Sequence, residues 1–156
     1  MWRLRGITRR WIFELKTAIR ERALALGFDA VGFAAAEASG DAGERLKAFL
    51  ALGRHGDMGW MAETAERRAD PHVLWPEAQS VIVLGMNYAP AHDPLAVLAQ
   101  QDRGAISVYA QNRDYHDIIK GRLKELGGWL HARSGHEVKV FVDTAPVMEK
   151  PLAESA

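Results

Sequence analysis

The sequence predicts a single α+β domain, with α/β as the neighbouring possibility, and three patterns carry that prediction. Apolar residues recur at helical spacing in two long segments, about 11–26 and 114–133. Ser80-Val81-Ile82-Val83-Leu84-Gly85-Met86 is a continuous apolar run bounded by Pro76 and Pro90, as in a central strand buried on both faces. Val138, Val140 and Val142 alternate with Lys139 and Phe141, the period of two that marks a strand. Helices thus mix with at least four strands, which suggests a mixed β-sheet flanked by helices.

Taken in order, Ile12, Leu15, Ile19, Ala23 and Leu26 form one helical face, and Gly27 follows as a stop. Ala30-Val31-Gly32-Phe33 reads as a short strand. A second helix fits 42–52, with Leu46, Phe49 and Leu50 together on one side and Gly53 at its end. From Arg54 to Pro76 no period is sustained, and Met58, Trp60 and Met61 are scattered among Gly, Asp, Arg and Pro. That stretch reads as a long ordered loop with one helical turn, of the kind that serves as a lid or binding loop. After the apolar run, 90–103 is a polar, proline-containing linker, and Ile106-Ser107-Val108-Tyr109 reads as another short strand. The longest helix carries Ile119, Leu123, Leu126 and Leu130 on its core face, with Asp114 and Asp117 arranged as a cap. The 138–142 strand then delivers Asp143, and a further helix starts within 146–156. No internal repeat or low-complexity segment is present.

Length and composition bound the function. The 156 residues include 20 Lys+Arg and 20 Asp+Glu, which argues against charge-driven binding to nucleic acid by the chain as a whole. A local basic patch does exist: Arg3, Arg5, Arg9, Arg10, Lys16, Arg20 and Arg22 face only Glu14 and Glu21 within 1–22. It is either a solvated helix face or an arm that touches phosphate. No secretory h-region and no membrane-length apolar run is present, so the expected compartment is the cytoplasm, with no membrane partner. The absence of cysteine excludes disulfides and any thiolate-ligated zinc or iron–sulfur cluster held by this chain.

Several residues invite a chemical reading. Asp143 lies where the chain leaves a strand, a position at which open sheets build ligand sites, with Glu149 six residues on. It either caps the next helix or serves as a carboxyl acid, and the second role needs a raised pKa. Arg113-Asp114-Tyr115-His116 opens the longest helix, with Asp114 read as an N-cap. Arg67-Arg68-Ala69-Asp70-Pro71 is either loop solvation or a clamp on an anionic or amide-bearing ligand. The six histidines show no metalloprotease spacing, no metal site is expected, and Gly53, Gly56 and Gly59 do not form a nucleotide-binding fingerprint.

Three segments in order resemble a known family: Arg68-Ala69-Asp70-Pro71 leading through Leu74-Trp75-Pro76-Glu77-Ala78 into Ser80-Val81-Ile82-Val83; Asn112-Arg113-Asp114-Tyr115-His116-Asp117; and Val142-Asp143-Thr144-Ala145-Pro146-Val147-Met148-Glu149-Lys150. Together they resemble the N-terminal cobalamin-binding domain of tRNA epoxyqueuosine reductases, over about residues 11–156, with 1–10 as a basic N-terminal extension. The resemblance implies a nitroreductase-like fold and a cytoplasmic oxidoreductase of queuosine biosynthesis. Such an enzyme reduces epoxyqueuosine at the tRNA wobble position, using base-off cobalamin (B12) and two 4Fe-4S clusters. It further implies Asp143 as proton donor, Asp114 and His116 as polar residues near the reacting centre, and Arg68, Ser107 and Tyr109 as cobalamin contacts. The implied partners are the tRNA anticodon loop carrying epoxyqueuosine and an external or C-terminal electron donor, the full-length enzyme being a monomer. The chain departs from the family in ending before the cysteine-bearing iron–sulfur domain, so alone it is expected to be inactive. A stand-alone corrinoid carrier and a flavin-dependent nitroreductase-like reductase are the alternative readings.

Overall fold

The computed structural model describes residues 9–37 and 40–156. Arg3 and Arg5 of the basic patch, and most of the 1–10 extension, lie outside the described residues. The elements in chain order are α1 (Arg9–Ala25), β1 (Ala30–Ala35), α2 (Ala42–Ala51), α3 (Gly59–Glu63), α4 (Ala65–Ala69), α5 (Pro71–Leu74), β2 (Ser80–Gly85), α6 (Tyr115–Ser134) and α7 (Glu149–Glu154), with 3₁₀ turns at Ala96–Ala99 and Val108–Ala110. They form two compact units, one of residues 1–29 with 85–142 and one of residues 30–84 with 143–156.

In the first unit, α1 packs against α6. Ile19, Ala23 and Phe28 are buried from the N-terminal side, and Leu123, Leu126 and Leu130 from α6, as their helical spacing requires. The end of α1 is set by Gly27, whose φ of +86° only glycine adopts without strain. Its carbonyl accepts a 2.8 Å hydrogen bond from the Arg122 guanidinium. A Cβ at Gly27 would meet that guanidinium at 2.8 Å, so the site excludes a side chain twice over. Arg22 and Glu125 pair across the same two helices, and Arg10 pairs with Glu14 one turn along α1, both exposed.

Helix α6 begins on Asp114, whose side chain accepts from the His116 N–H, and ends on Gly135 in the left-handed conformation at φ +72°. The expected strand at 138–142 is absent: the segment has no regular secondary structure and pairs with no strand among the described residues. Its valines serve the helix instead. A Cβ on Gly127 of α6 would lie 3.1 Å from Val140 Cγ1 and 3.5 Å from Val138 Cγ1, so alternate side chains lie against a small-residue patch of the helix. The Ile106–Tyr109 strand is replaced by the 3₁₀ turn Val108–Ala110, with Ile106 and Tyr109 exposed.

In the second unit, β1 and β2 make a two-stranded sheet. Hydrogen bonds from the Asp29 N–H to the Gly85 carbonyl at one end, and from Ala36 to Gln79 at the other, make the pair antiparallel. The mixed sheet of at least four strands is thereby corrected to two antiparallel strands among the described residues, while the α+β class stands. Neither strand is central, which is why the apolar residues of β2 are half-buried rather than covered on both faces. Helix α2 packs on α4, with Gly43 against Ala69, and α7, whose Leu152 is buried, packs on β1.

The expected loop at 54–76 is a chain of three short helices. Each boundary is made by a local bond rather than by a hydrophobic period. The Thr64 hydroxyl bonds to the Trp60 carbonyl at 2.7 Å, at the junction of α3 and α4. Asp70 ends α4 and starts α5, its side chain accepting from the His72 N–H at 2.9 Å with Pro71 in the first helical position.

Candidate functional site

The residues singled out by sequence fall into the two units, and each group is built separately. In the unit of 30–84 and 143–156, Arg68 lies in the last turn of α4. Its Nε donates to Thr64 Oγ1 at 2.9 Å, and its guanidinium carbon sits 4.8 Å from the Trp60 ring centroid. Bonded at Nε and laid over an aromatic face, the half-buried guanidinium presents a restrained fork, a geometry suited to amide or anionic groups. The sequence pattern does not single out the contacts with Trp60 and Thr64.

Asp143 follows the 138–142 segment, and its φ of +50° is the one positive value at a non-glycine among the described residues. For an L-residue that conformation costs roughly 1–2 kcal/mol, least for Asp and Asn. Its N–H donates to Glu149 Oε1 at 3.1 Å, which offsets part of that cost. Asp143 is not the cap of α7: the helix starts at Glu149, with Met148 in the capping position and no side-chain cap bond. Desolvation of the Glu149 carboxyl pushes its pKa up; the Asp143 N–H opposes this, and the nearby Asp143 charge adds to it. Glu149 is the residue whose part in the site sequence reasoning misses. Its one signal is a carboxylate six residues beyond Asp143, a separation that matches neither helix nor strand.

In the unit of 1–29 and 85–142, four of the expected positions gather around the start of α6. Asp114 Oδ1 accepts from the His116 N–H at 2.9 Å and lies 2.7 Å from His116 Nδ1. The backbone bond first, and the ring second, hold the Asp114 carboxyl below the usual carboxylate range. Nδ1 is therefore the ring nitrogen engaged by Asp114. The imidazole stacks on Tyr115 at 4.1 Å between centroids, and Tyr109 meets Tyr115 edge-on at 6.3 Å. Tyr109, His116 and Asp114 thus form one continuous set of contacts, and Ser107 opens the turn that carries Tyr109, its carbonyl accepting from Ala110 at 2.9 Å. Beside that turn Tyr88, Pro90, Pro94 and Val108 line an open, mostly apolar groove.

Two groups implied by the resemblance can be tested against these residues. In the unit of 85–142, the apolar groove beside Val108 is a surface of the kind a corrin ring packs on. Separately, in the unit of 30–84, the restrained Arg68 guanidinium suits amide groups such as a corrin carries. Iron–sulfur clusters do not fit this chain, which offers no thiolate. Among the described residues no group of three or more His, Asp or Glu side chains is spaced to hold a metal ion, and no helix is long and apolar enough to cross a membrane.

Comparison with known proteins gives the assignment. Residues 68–144 match the family described as epoxyqueuosine reductase QueG, DUF1730. The epoxyqueuosine reductase of Escherichia coli K12 is 39% identical over 145 residues, a match covering 92% of this chain and 38% of that protein. That of Gloeobacter violaceus is 42% identical over 140 residues, covering 88% and 42%. A crystal structure of epoxyqueuosine reductase with an epoxyqueuosine-modified tRNA-Tyr stem loop superposes with a TM-score of 0.73 at 25% identity, over 92% of this chain and 38% of that one. These two relatives and the solved structure are all named epoxyqueuosine reductase. The family matched over residues 68–144 is that of the epoxyqueuosine reductases, and the chain spans about two fifths of the length of the relatives it matches.

Proposed function

We propose that residues 11–156 are the nitroreductase-like, cobalamin-binding part of a cytoplasmic epoxyqueuosine reductase acting on the anticodon loop of tRNA. The observation that carries this reading is the continuous family match over 68–144, which takes in Arg68, Ser107, Tyr109, Asp114, His116 and Asp143 together. The likeness to a reductase solved with a modified tRNA stem loop supports the substrate class.

Reducing an epoxide to an alkene removes its oxygen as water and consumes two electrons and two protons. Bound base-off cobalamin would supply the reducing chemistry at the substrate carbon. The chain's own residues then divide three roles among them. Arg68 contacts the cofactor's amides, and the Ser107–Tyr109 turn contacts its apolar face. Asp114 and His116, locked to each other, orient the substrate. Asp143 delivers a proton from its carboxyl oxygen to the departing epoxide oxygen, a role that requires the carboxyl to carry its proton when an apolar face covers it. The electron donor and the 4Fe-4S clusters are supplied by groups other than these residues.

Titrating the chain with cobalamin, followed by ultraviolet–visible absorption, tests the cofactor-holding role. A base-off spectrum saturating at one equivalent is expected, and no spectral change overturns cobalamin binding by this part alone. In a reductase containing this chain, Asp143→Asn keeps the side-chain shape and removes the transferable proton. Turnover should fall steeply with cobalamin binding retained. Unchanged turnover refutes the proton-donor role.

A further inference from the structure

We propose that Glu149 is the positioning residue for Asp143, fixing by its side chain the backbone conformation from which the Asp143 carboxyl works. The inference rests on the reading of Asp143 as proton donor and adds to it a residue on another element. The geometry has three parts. Asp143 occupies the left-handed region at φ +50°, a conformation an aspartate keeps only when its surroundings hold it there. The Asp143 N–H is bonded to Glu149 Oε1, which closes the Thr144-Ala145-Pro146 turn, itself tightened by the Val147 N–H on the Ala145 carbonyl at 2.8 Å. Glu149 is in turn the first residue of α7, which is anchored by buried Leu152 and by the approach of Ala156 to Gly32 of β1, where a Cβ would meet Ala156 Cβ at 2.6 Å. Position therefore passes from β1 to α7, from α7 to the Glu149 carboxyl, and from that carboxyl to the Asp143 backbone.

The second support is electrostatic. Partial burial first, and the Asp143 charge in addition, push the Glu149 carboxyl up, so the Glu149 side chain senses Asp143.

The test uses Glu149→Ala and Glu149→Gln in a reductase containing this chain, assayed on epoxyqueuosine-modified tRNA. Alanine removes the acceptor, and kcat should fall roughly 10- to 100-fold with KM for tRNA unchanged, as for a misplaced reacting group. Glutamine keeps an acceptor oxygen, so most of kcat should return. Wild-type kcat in Glu149→Ala, or no recovery in a folded Glu149→Gln, overturns the inference. If alanine prevents folding, an Asp143 amide signal that ignores Glu149 titration overturns it instead. An Asp143 amide signal that follows Glu149 titration by NMR in this 156-residue chain, and loses that dependence in Glu149→Gln, supports the positioning bond independently of activity. Wild-type turnover in Asp143→Asn alongside that NMR result would remove the proton-donor reading and leave the Glu149–Asp143 bond standing.

Discussion

Two adjacent glycines on α6 offer a controlled comparison. Gly127 is buried, and a Cβ there would come within 3.1 Å of Val140 Cγ1; at Gly128 a Cβ would meet nothing within 4 Å. Replacing glycine by alanine inside a helix gains about 0.8–1 kcal/mol from propensity at either position. Gly128→Ala should therefore stabilise the chain by about that amount. Gly127→Ala receives the same gain but crowds Val140, and overpacking of a filled contact costs roughly 1–3 kcal/mol. The two variants should differ by at least ~1 kcal/mol, with Gly127→Ala neutral or destabilising. Urea unfolding, followed by far-ultraviolet circular dichroism with equal m-values, measures that difference. Equal stabilisation by both substitutions would refute the packing of the 138–142 segment on α6, and with it the explanation of why these valines build no strand.

Asp114→Ala should lower the melting temperature at neutral pH by removing the cap of α6. Because the folded-state pKa of Asp114 is lowered, its contribution is present above the ordinary aspartate value and is lost as pH falls through the lowered one. Melting curves of variant and wild type should then converge in acid, and a gap independent of pH would exclude the charged cap as its source. Leu152, 6% exposed, is the buried residue of α7, and Leu152→Ala should cost about 2–4 kcal/mol in urea unfolding. A loss below ~1 kcal/mol would mean that α7 is not docked.

The long helices are legible in the sequence because α1 and α6 repeat their apolar residues over several turns, and the 3.6-residue period survives any choice of partner. Asp114 is legible as a cap for a related reason, since capping is local. The 138–142 segment misleads because a period of two records only that alternate side chains face one way, and Val138 and Val140 face Gly127 of α6 rather than a neighbouring strand. The three helices between 59 and 74 are set by single bonds at Thr64 and Asp70, which leave no periodic trace. In the site, the Asp114–His116 pair follows from adjacency at a helix start. The hold of Glu149 on Asp143 and of Trp60 on Arg68 arises only once separate helices are folded, so neither carries a sequence period.

Asp70 terminates α4 and caps α5 with no intervening residue, which makes this corner intolerant of length change. Adding or deleting a residue between Thr64 and Trp75 would break the cap of α5, the Nε bond of Arg68 or both, because each depends on a fixed count along the chain. The stretch works as a ruler: two positions before its corner stands the guanidinium, and hydrogen bonds counted along the chain fix the spacing between them. A change of length should instead be tolerated in the 3₁₀ and turn segments around 90–103, whose hydrogen bonds reach only near neighbours.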